Sequence, residues 1–237
     1  AWPGPGPIAI HADSPTIAPM LELAKRYDQH LHVCHVPHPD DLLQIDAARQ
    51  RGAHVTCEIT PHHLFLNTDD AAQLGPFAQM KPPLLPRGVA HLFWERLGLV
   101  DLIATDHAPH TRLEKESPNP PPGVPGLETM LPLLLYAVDR GLLTLERLQE
   151  LTWHGPLRVF GLQAPADTAV DIAVGKPYIL STYGWHTRCG WSPYGGYPAI
   201  GRVRRVQIRG LTVWQSGTLL AAARYGQRLV RTEAAAS

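Results

Sequence analysis

Short apolar runs alternate with amphipathic stretches along the first 165 residues. Each apolar run has the length of a strand, and turn-forming or polar residues bound it, which predicts buried strands at residues 8–13, 30–36, 54–60 and 102–108. The intervening stretches carry helix start and stop signals, and they predict helices at residues 14–27, 39–52, 86–98 and about 126–140. Ser14 is the expected N-cap of the first helix. This alternation predicts right-handed β-α-β units and a parallel sheet.

The pattern changes after about residue 165. Segments 170–180, 201–210 and 211–220 alternate polar and apolar residues and carry Gly, Pro and Tyr turns, which predicts a small β module. Residues 187–231 contain eight arginines and no acidic residue. Because no aromatic-interleaved RNA motif accompanies them, we expect a solvated strand face or a subunit-docking surface, and no nucleic-acid partner.

Composition limits the class of protein. With 44% apolar and 18% charged residues the chain can build a core, and 21 basic residues against 21 acidic ones give no field that attracts polyanions. The absence of a long apolar run and of a basic leader predicts no membrane span and no signal peptide. Three cysteines form no disulfide framework, and this favours the cytoplasm.

The 13 histidines point to chemistry. In a parallel barrel, catalytic side chains lie at the carboxyl ends of the strands, and residues of zinc-ligand type end all four predicted strands: His11, Cys34, His35, Glu58, Asp106 and His107. Asp106 could bind metal through one oxygen and take a proton through the other. His110 is expected to face the cavity and bind a substrate anion. The Pro-rich loop 112–125 is either a connection or a wall of that cavity.

Other polar residues receive a structural interpretation. We predict His30, His32, His38, His54, His91 and His186 to be loop, strand-face or helix-surface residues without convergent partners. Cys57 is expected to be a small buried hydrophobe. Cys34 is either that or a soft metal ligand, and His62 and His63 either pack or hydrogen-bond around the site.

Four motifs in this order resemble the dihydroorotase family of the amidohydrolase superfamily: HLHVCHV, VTCEITPHHLFL, ATDHAPHT and PPPGVPGLETMLPLLL. The similarity is greatest to the dihydroorotase domains of animal multifunctional pyrimidine-synthesis proteins. It implies an α/β fold, a (β/α)8 TIM barrel of which this chain holds about the last four strands, plus part of a small β-sandwich. Residues 1–165 would form the C-terminal half of the barrel, and residues 166–237 the sandwich portion and tail.

The resemblance also implies roles. His11 and His35 would hold one zinc ion, and Asp106 would ligate a second and act as general base and then acid. His110 would bind the substrate carboxylate, with the backbone near Pro122 lining the pyrimidine ring. Cys34 and Glu58 match positions for a third zinc. The implied reaction is reversible hydrolysis of dihydroorotate to N-carbamoyl-aspartate in pyrimidine synthesis.

Two departures from the family pattern keep alternatives open. Lys81 stands where the family often has an asparagine, and the family's leading His-x-His pair and bridging carboxylated lysine have no counterpart, so we expect an incomplete site. The alternatives are a hydantoinase or allantoinase, and a non-catalytic structural partner, for example in an assembly with aspartate transcarbamoylase. Self-association into a homo-oligomer is a further expectation.

Overall fold

A computed structural model describes residues 6–229 and 231. Its first sheet is parallel, with strand order β1-β2-β3-β4, and the strands are β1 (Ile8–Ile10), β2 (Leu31–Val33), β3 (Val55–Ile59) and β4 (Leu102–Ile103). Each crossover between neighbours contains at least one helix, as parallel pairing requires. All four carboxyl ends therefore meet at one edge of the sheet.

The helices of the described residues fall into two groups. Those that connect the parallel strands are α1 (Ser14–Arg26), α2 (Pro39–Gln50), α3 (Pro61–Phe65), α4 (Thr68–Leu74), α5 (Arg87–Ala90) and α6 (Leu92–Glu95). Those that follow β4 are α7 (Arg112–Lys115), α8 (Met130–Asp139), α9 (Leu145–Gln149) and α10 (Gly155–Phe160). Short 3-10 turns lie at Gly75–Ala78 and Leu97–Leu99, and a π-helical segment, Glu150–His154, joins α9 to α10. No helix in the described part of the chain has the length and apolar character that a bilayer crossing needs.

Alternation along the strands separates the core from the site. Leu31 and Val33 of β2 are buried in the hydrophobic cluster between sheet and helices, to which α1 contributes Ile17 and Leu21. His32 lies between them in sequence and therefore points to the opposite face of the sheet, the side that a barrel encloses. The outer face holds the core, and the inner face carries polar groups.

An antiparallel sheet follows, with order β10-β9-β8-β5, formed by β5 (Ala169–Ala173), β8 (Arg202–Ile208), β9 (Leu211–Gln215) and β10 (Thr218–Leu219). A two-stranded antiparallel pair joins β6 (Tyr178–Ile179) to β7 (Pro198–Ala199). A second hydrophobic cluster, which includes Trp191 and Tyr194, packs this region against Val124 and Leu133. The prediction of a β module in the tail is confirmed.

Several sequence predictions need correction. The strands are shorter than predicted, and the helix expected at residues 86–98 is broken into α5, α6 and a 3-10 turn. The N-cap of α1 is Asp13, and Ser14 is the first helical residue, whose hydroxyl donates to Asp41 at 2.6 Å. The loop 112–125 begins with the short helix α7, because Thr111 and Glu114 form a capping box.

Candidate functional site

Two histidines meet where the first two strands end. Nδ1 of His11 lies 2.8 Å from Nε2 of His35, and the two rings are 4.5 Å apart between centroids. The remaining ring nitrogen of His35, Nδ1, is buried and has no partner among the described residues. Two nitrogens on one zinc ion are about 3.3 Å apart at tetrahedral geometry. The pair therefore has the donor chemistry and almost the spacing of a shared metal site.

Backbone strain marks two of the predicted site residues. His35 has a φ of +34° and Asp106 a φ of +46°, in the left-handed region that non-glycine residues rarely adopt. Such positions cost on the order of 1–3 kcal/mol each, and they cluster at functional sites. His35 lies two residues after the end of β2 and Asp106 three residues after the end of β4, so both strained positions lie at the rim.

Asp106 shares an electrostatic environment with the other rim groups. Burial is the main cause that raises the pKa of its carboxyl group, the Glu58 charge adds to this, and His35 and His11 act in the opposite direction. Burial, with the charges of Glu58 and Asp106, also raises the pKa of the Cys34 thiol to about 11. Without a cation the thiol therefore stays protonated near neutral pH, whereas a thiolate ligand needs a metal beside it.

His32 belongs to the site, so the prediction that it lacks convergent partners is wrong. Its side chain is buried, and Nε2 lies 3.0 Å from Oε2 of Glu58. His32, Cys34 and Glu58 each present a ligand atom, and these atoms lie within 4.8 Å of one another. The three form a candidate metal site on the inner face of β2 and β3. The available signal was the spacing, since His32 and Cys34 are two residues apart and share one face of a strand.

The same polar face continues away from the rim. Thr56 Oγ1 lies 2.9 Å from His32 Nδ1 and 3.0 Å from His30 Nε2. The His30 ring stacks on His54 with centroids 3.9 Å apart. The prediction that His30 and His54 lack partners is therefore also wrong, and polar side chains fill the inner face of these two strands.

The two histidines after β3 are buried beside the rim. His63 contacts Thr60 Oγ1 at 2.9 Å and the Pro82 carbonyl at 3.3 Å, while neither ring nitrogen of His62 has a partner among the described residues. Burial lowers the pKa of His63 to about 4 and that of His62 well below its usual value. Both rings are therefore neutral near pH 7. The predicted packing role agrees with this burial, as does the buried position of Cys57.

His110 and Pro122 lie together on the loop after β4. His110 Nε2 donates to the Pro122 carbonyl at 3.2 Å, and the His110 carbonyl accepts from Trp191 Nε1 at 2.7 Å. His107, which the sequence placed with Asp106 at the rim, instead accepts backbone N–H groups of Gly126 and Leu127 through Nδ1. His107 thus organises the approach to α8.

The structure therefore assembles two groups of predicted residues. His11, Cys34, His35, Glu58 and Asp106 share the rim, whereas His110 and Pro122 pair on the loop. Sequence reasoning missed His32 at the rim, and it missed Lys115 and Trp191 beside the loop. Nothing in the local sequence marks Lys115, because its contacts depend on tertiary structure.

Solved structures identify the fold. L-hydantoinase from Arthrobacter aurescens matches 91% of the chain and 51% of its own length, with a TM-score of 0.86 and 30% identity. The inactive dihydroorotase-like domain of the Chaetomium thermophilum CAD-like multifunctional protein matches 94% of the chain and 62% of its own length, with a TM-score of 0.77 and 26% identity. The chain has the fold of an amidohydrolase-type (β/α)8 barrel, of which the described residues supply four parallel strands.

Within the amidohydrolase-type barrels, the sequence is similar to dihydroorotases and to multifunctional proteins named CAD. The chain is 42% identical over 227 residues to multifunctional protein CAD of Squalus acanthias, and 38% identical over 221 residues to dihydroorotase of Halobacterium salinarum. The chain is thus similar in sequence to dihydroorotases over about nine tenths of its own length. No protein-family model matches it. The chain spans 51% of the Halobacterium enzyme and 10% of the Squalus protein.

Proposed function

We propose that this chain carries part of the catalytic site of a dihydroorotase, a cyclic amidohydrolase that reversibly hydrolyses dihydroorotate to N-carbamoyl-aspartate in pyrimidine synthesis. The observation that carries the proposal is the 2.8 Å approach of His11 Nδ1 to His35 Nε2 at the rim that also holds Asp106. The similarity to dihydroorotases supplies the substrate class. Residues 1–165 would be the barrel portion and residues 166–237 the sandwich portion.

Zinc is the metal that this donor set fits best. His11 and His35 would hold one ion and Asp106 would contribute to a second, and the soft thiolate and imidazole donors of Cys34 and His32 also suit zinc. When bound, zinc polarises the amide carbonyl and makes hydroxide accessible near neutral pH. Two ions per complete barrel, with a third near Cys34 and Glu58, belong to this proposal.

Residues of this chain would carry out proton transfer and substrate binding. Asp106 takes the proton of the attacking water and returns it to the ring nitrogen that leaves. His110 binds the substrate carboxylate, a charge-assisted contact, and the Pro122 backbone lines the pyrimidine ring. Further ligands would come from other barrel strands, because His11 and His35 for one zinc and Asp106 alone for the other are fewer than the three or four protein ligands of a tight site. The four strands also leave β1 and β4 as open sheet edges in the described residues.

The relatives also suggest where the protein works. Homology to multifunctional CAD proteins supports an association with the pyrimidine-synthesis machinery, and aspartate transcarbamoylase or a second copy of the chain are the partners we propose. The three cysteines are unpaired, in keeping with a cytoplasmic location.

Two further functions have an observation behind them. The similarity to L-hydantoinase favours a hydantoinase, and the similarity to an inactive dihydroorotase-like domain favours a structural role. The test uses a completed barrel, in which the N-terminal strands of a homologous dihydroorotase precede this chain. We expect it to hydrolyse dihydroorotate and leave hydantoin intact. Preferential opening of the hydantoin ring would support the hydantoinase, and a metal-loaded barrel without turnover would support the structural role.

A further inference from the structure

Lys115 is a fully buried lysine at the end of α7. Its Nζ donates to three backbone carbonyls, those of Gln79 at 3.2 Å, Pro121 at 2.9 Å and Gly123 at 3.2 Å. Lysine is almost never fully buried without a partner, and an ammonium group has three N–H donors to satisfy. Among the described ion pairs, none gives Lys115 a carboxylate partner. All of its donors therefore serve the backbone.

The carbonyls that Lys115 binds flank the one that holds His110. Pro121 and Gly123 stand on either side of Pro122, whose carbonyl accepts from His110 Nε2 at 3.2 Å. The Gly123 N–H in turn donates to the Gln79 carbonyl at 2.8 Å. The ammonium group thus ties residues 121–123 to Gln79, which follows the 3-10 turn Gly75–Ala78, at the position where His110 is attached.

Lys115 also lies against the second attachment of His110. Its Nζ is 5.8 Å from the centroid of the Trp191 ring, a cation–π distance, and Trp191 Nε1 donates to the His110 carbonyl at 2.7 Å. The side chain of His110 therefore binds the Pro122 carbonyl, which lies between the two carbonyls that Lys115 binds in this loop. The backbone of His110 binds the Trp191 ring, against which the ammonium group of Lys115 lies. One ammonium group therefore contacts the neighbours of both attachments of His110.

We propose that Lys115 is a positioning residue for the carboxylate-binding site, which holds His110 and the Pro121–Gly123 backbone in the geometry that receives an anionic substrate. The inference rests on the proposed function, since it assumes that His110 binds a carboxylate. Lys115 does not touch the substrate; it acts through the loop and through Trp191.

The test compares Lys115→Met with Lys25→Met in the completed barrel. Methionine keeps the length and the apolar stem of Lys115 but removes all three donors, and Lys25 is an exposed lysine of α1 that serves as the matched control. The ligands are dihydroorotate and dihydrouracil, which share the ring but differ in the carboxylate. We expect Lys115→Met to weaken dihydroorotate binding at least tenfold, to weaken dihydrouracil binding by a clearly smaller factor because that ligand uses the ring-lining backbone but not His110, and to leave the zinc content unchanged.

A second measurement follows the loop without any ligand. Hydrogen exchange of the Gly123 amide should accelerate at least tenfold in Lys115→Met, while the Val36 amide, which donates to the Glu58 carbonyl at 2.9 Å, serves as the internal reference. Lys115→Gln keeps two N–H donors and should partly restore both the ligand selectivity and the exchange protection. It also serves as the working variant where Lys115→Met fails to fold.

The outcomes separate this inference from the proposed function. Equal losses for both ligands, or an unchanged affinity ratio, would overturn the positioning role, even with faster exchange at Gly123. A wild-type completed barrel that binds neither ligand would contradict the proposed function. In that case the hydrogen exchange of the Gly123 amide would be the remaining test of whether Lys115 holds the loop. An exchange rate that is the same in Lys115→Met and the wild type would show that it does not.

Discussion

Gly123 packs against Ala108 in the segment that follows β4, and adding one methyl group there should disrupt the candidate substrate site. Its φ is +134°, and a Cβ would lie 2.6 Å from the Ala108 carbonyl oxygen, 2.8 Å from the Ala108 Cβ and 3.3 Å from His110 Cδ2. The backbone conformation costs an alanine about 1–3 kcal/mol. Overpacking against Ala108 costs about 1–3 kcal/mol more. Gly123→Ala should therefore destabilise the completed barrel by about 2–6 kcal/mol.

Two other glycines separate these contributions. Gly88 has an ordinary φ and open space around its Cβ position, so Gly88→Ala in α5 should be neutral or slightly stabilising. Gly52 has a φ of +86° and open space, so Gly52→Ala should cost only the conformational strain, about 1–2 kcal/mol. The assay is urea unfolding, with the midpoint compared at constant slope. A Gly123→Ala variant as stable as Gly88→Ala would refute the close packing of this loop on the rim.

The remaining predictions concern the rim itself. His11→Ala and His35→Ala should each lower bound zinc in elemental analysis, whereas His91→Ala, which changes an exposed histidine paired with Glu95, should not; full zinc occupancy in both site variants would rule out their assignment as ligands. Asp106→Asn should keep the fold and lower dihydroorotate turnover by about a hundredfold or more, and near-normal rates would exclude it as the proton shuttle. Because burial lowers the pKa of His63 from 6.5 to about 4, its contribution to stability is complete above pH 6.5 and is lost as the pH falls toward 4, by at most about 1.4 kcal/mol per pH unit. His63→Gln should flatten this slope in pH-dependent unfolding, and an unchanged slope would contradict the buried neutral ring.

Much of the barrel portion could be predicted from local patterns. Apolar runs and helix signals identify the four parallel strands in the right order, and strand ends identify His11, His35 and Asp106, because parallel strands bring their carboxyl ends to one edge. Strand lengths were overestimated, since an apolar run such as residues 102–108 continues past the last ladder hydrogen bond into the rim.

The missed residues depend on contacts that sequence spacing does not report. His32 looked like a strand-face histidine because its partner Glu58 belongs to the next strand, 26 residues away. Lys115 is buried only because the loop folds back over it, and Trp191 reaches His110 across 81 positions. His107 was predicted at the rim beside Asp106, but its Nδ1 accepts hydrogen bonds from the backbone N–H groups of residues 126 and 127.

Dihydroorotate hydrolysis by the 237-residue chain, measured alone and in the completed barrel together with zinc stoichiometry, tests the central claim most directly. The claim is that the chain supplies His11, His35 and Asp106 to a two-metal site whose other ligands lie on other barrel strands. We expect the chain alone to show no turnover and poor solubility or self-association, and the completed barrel to bind two zinc ions and hydrolyse dihydroorotate. A soluble chain that turns over dihydroorotate normally by itself, or a zinc-loaded completed barrel without activity, would contradict it.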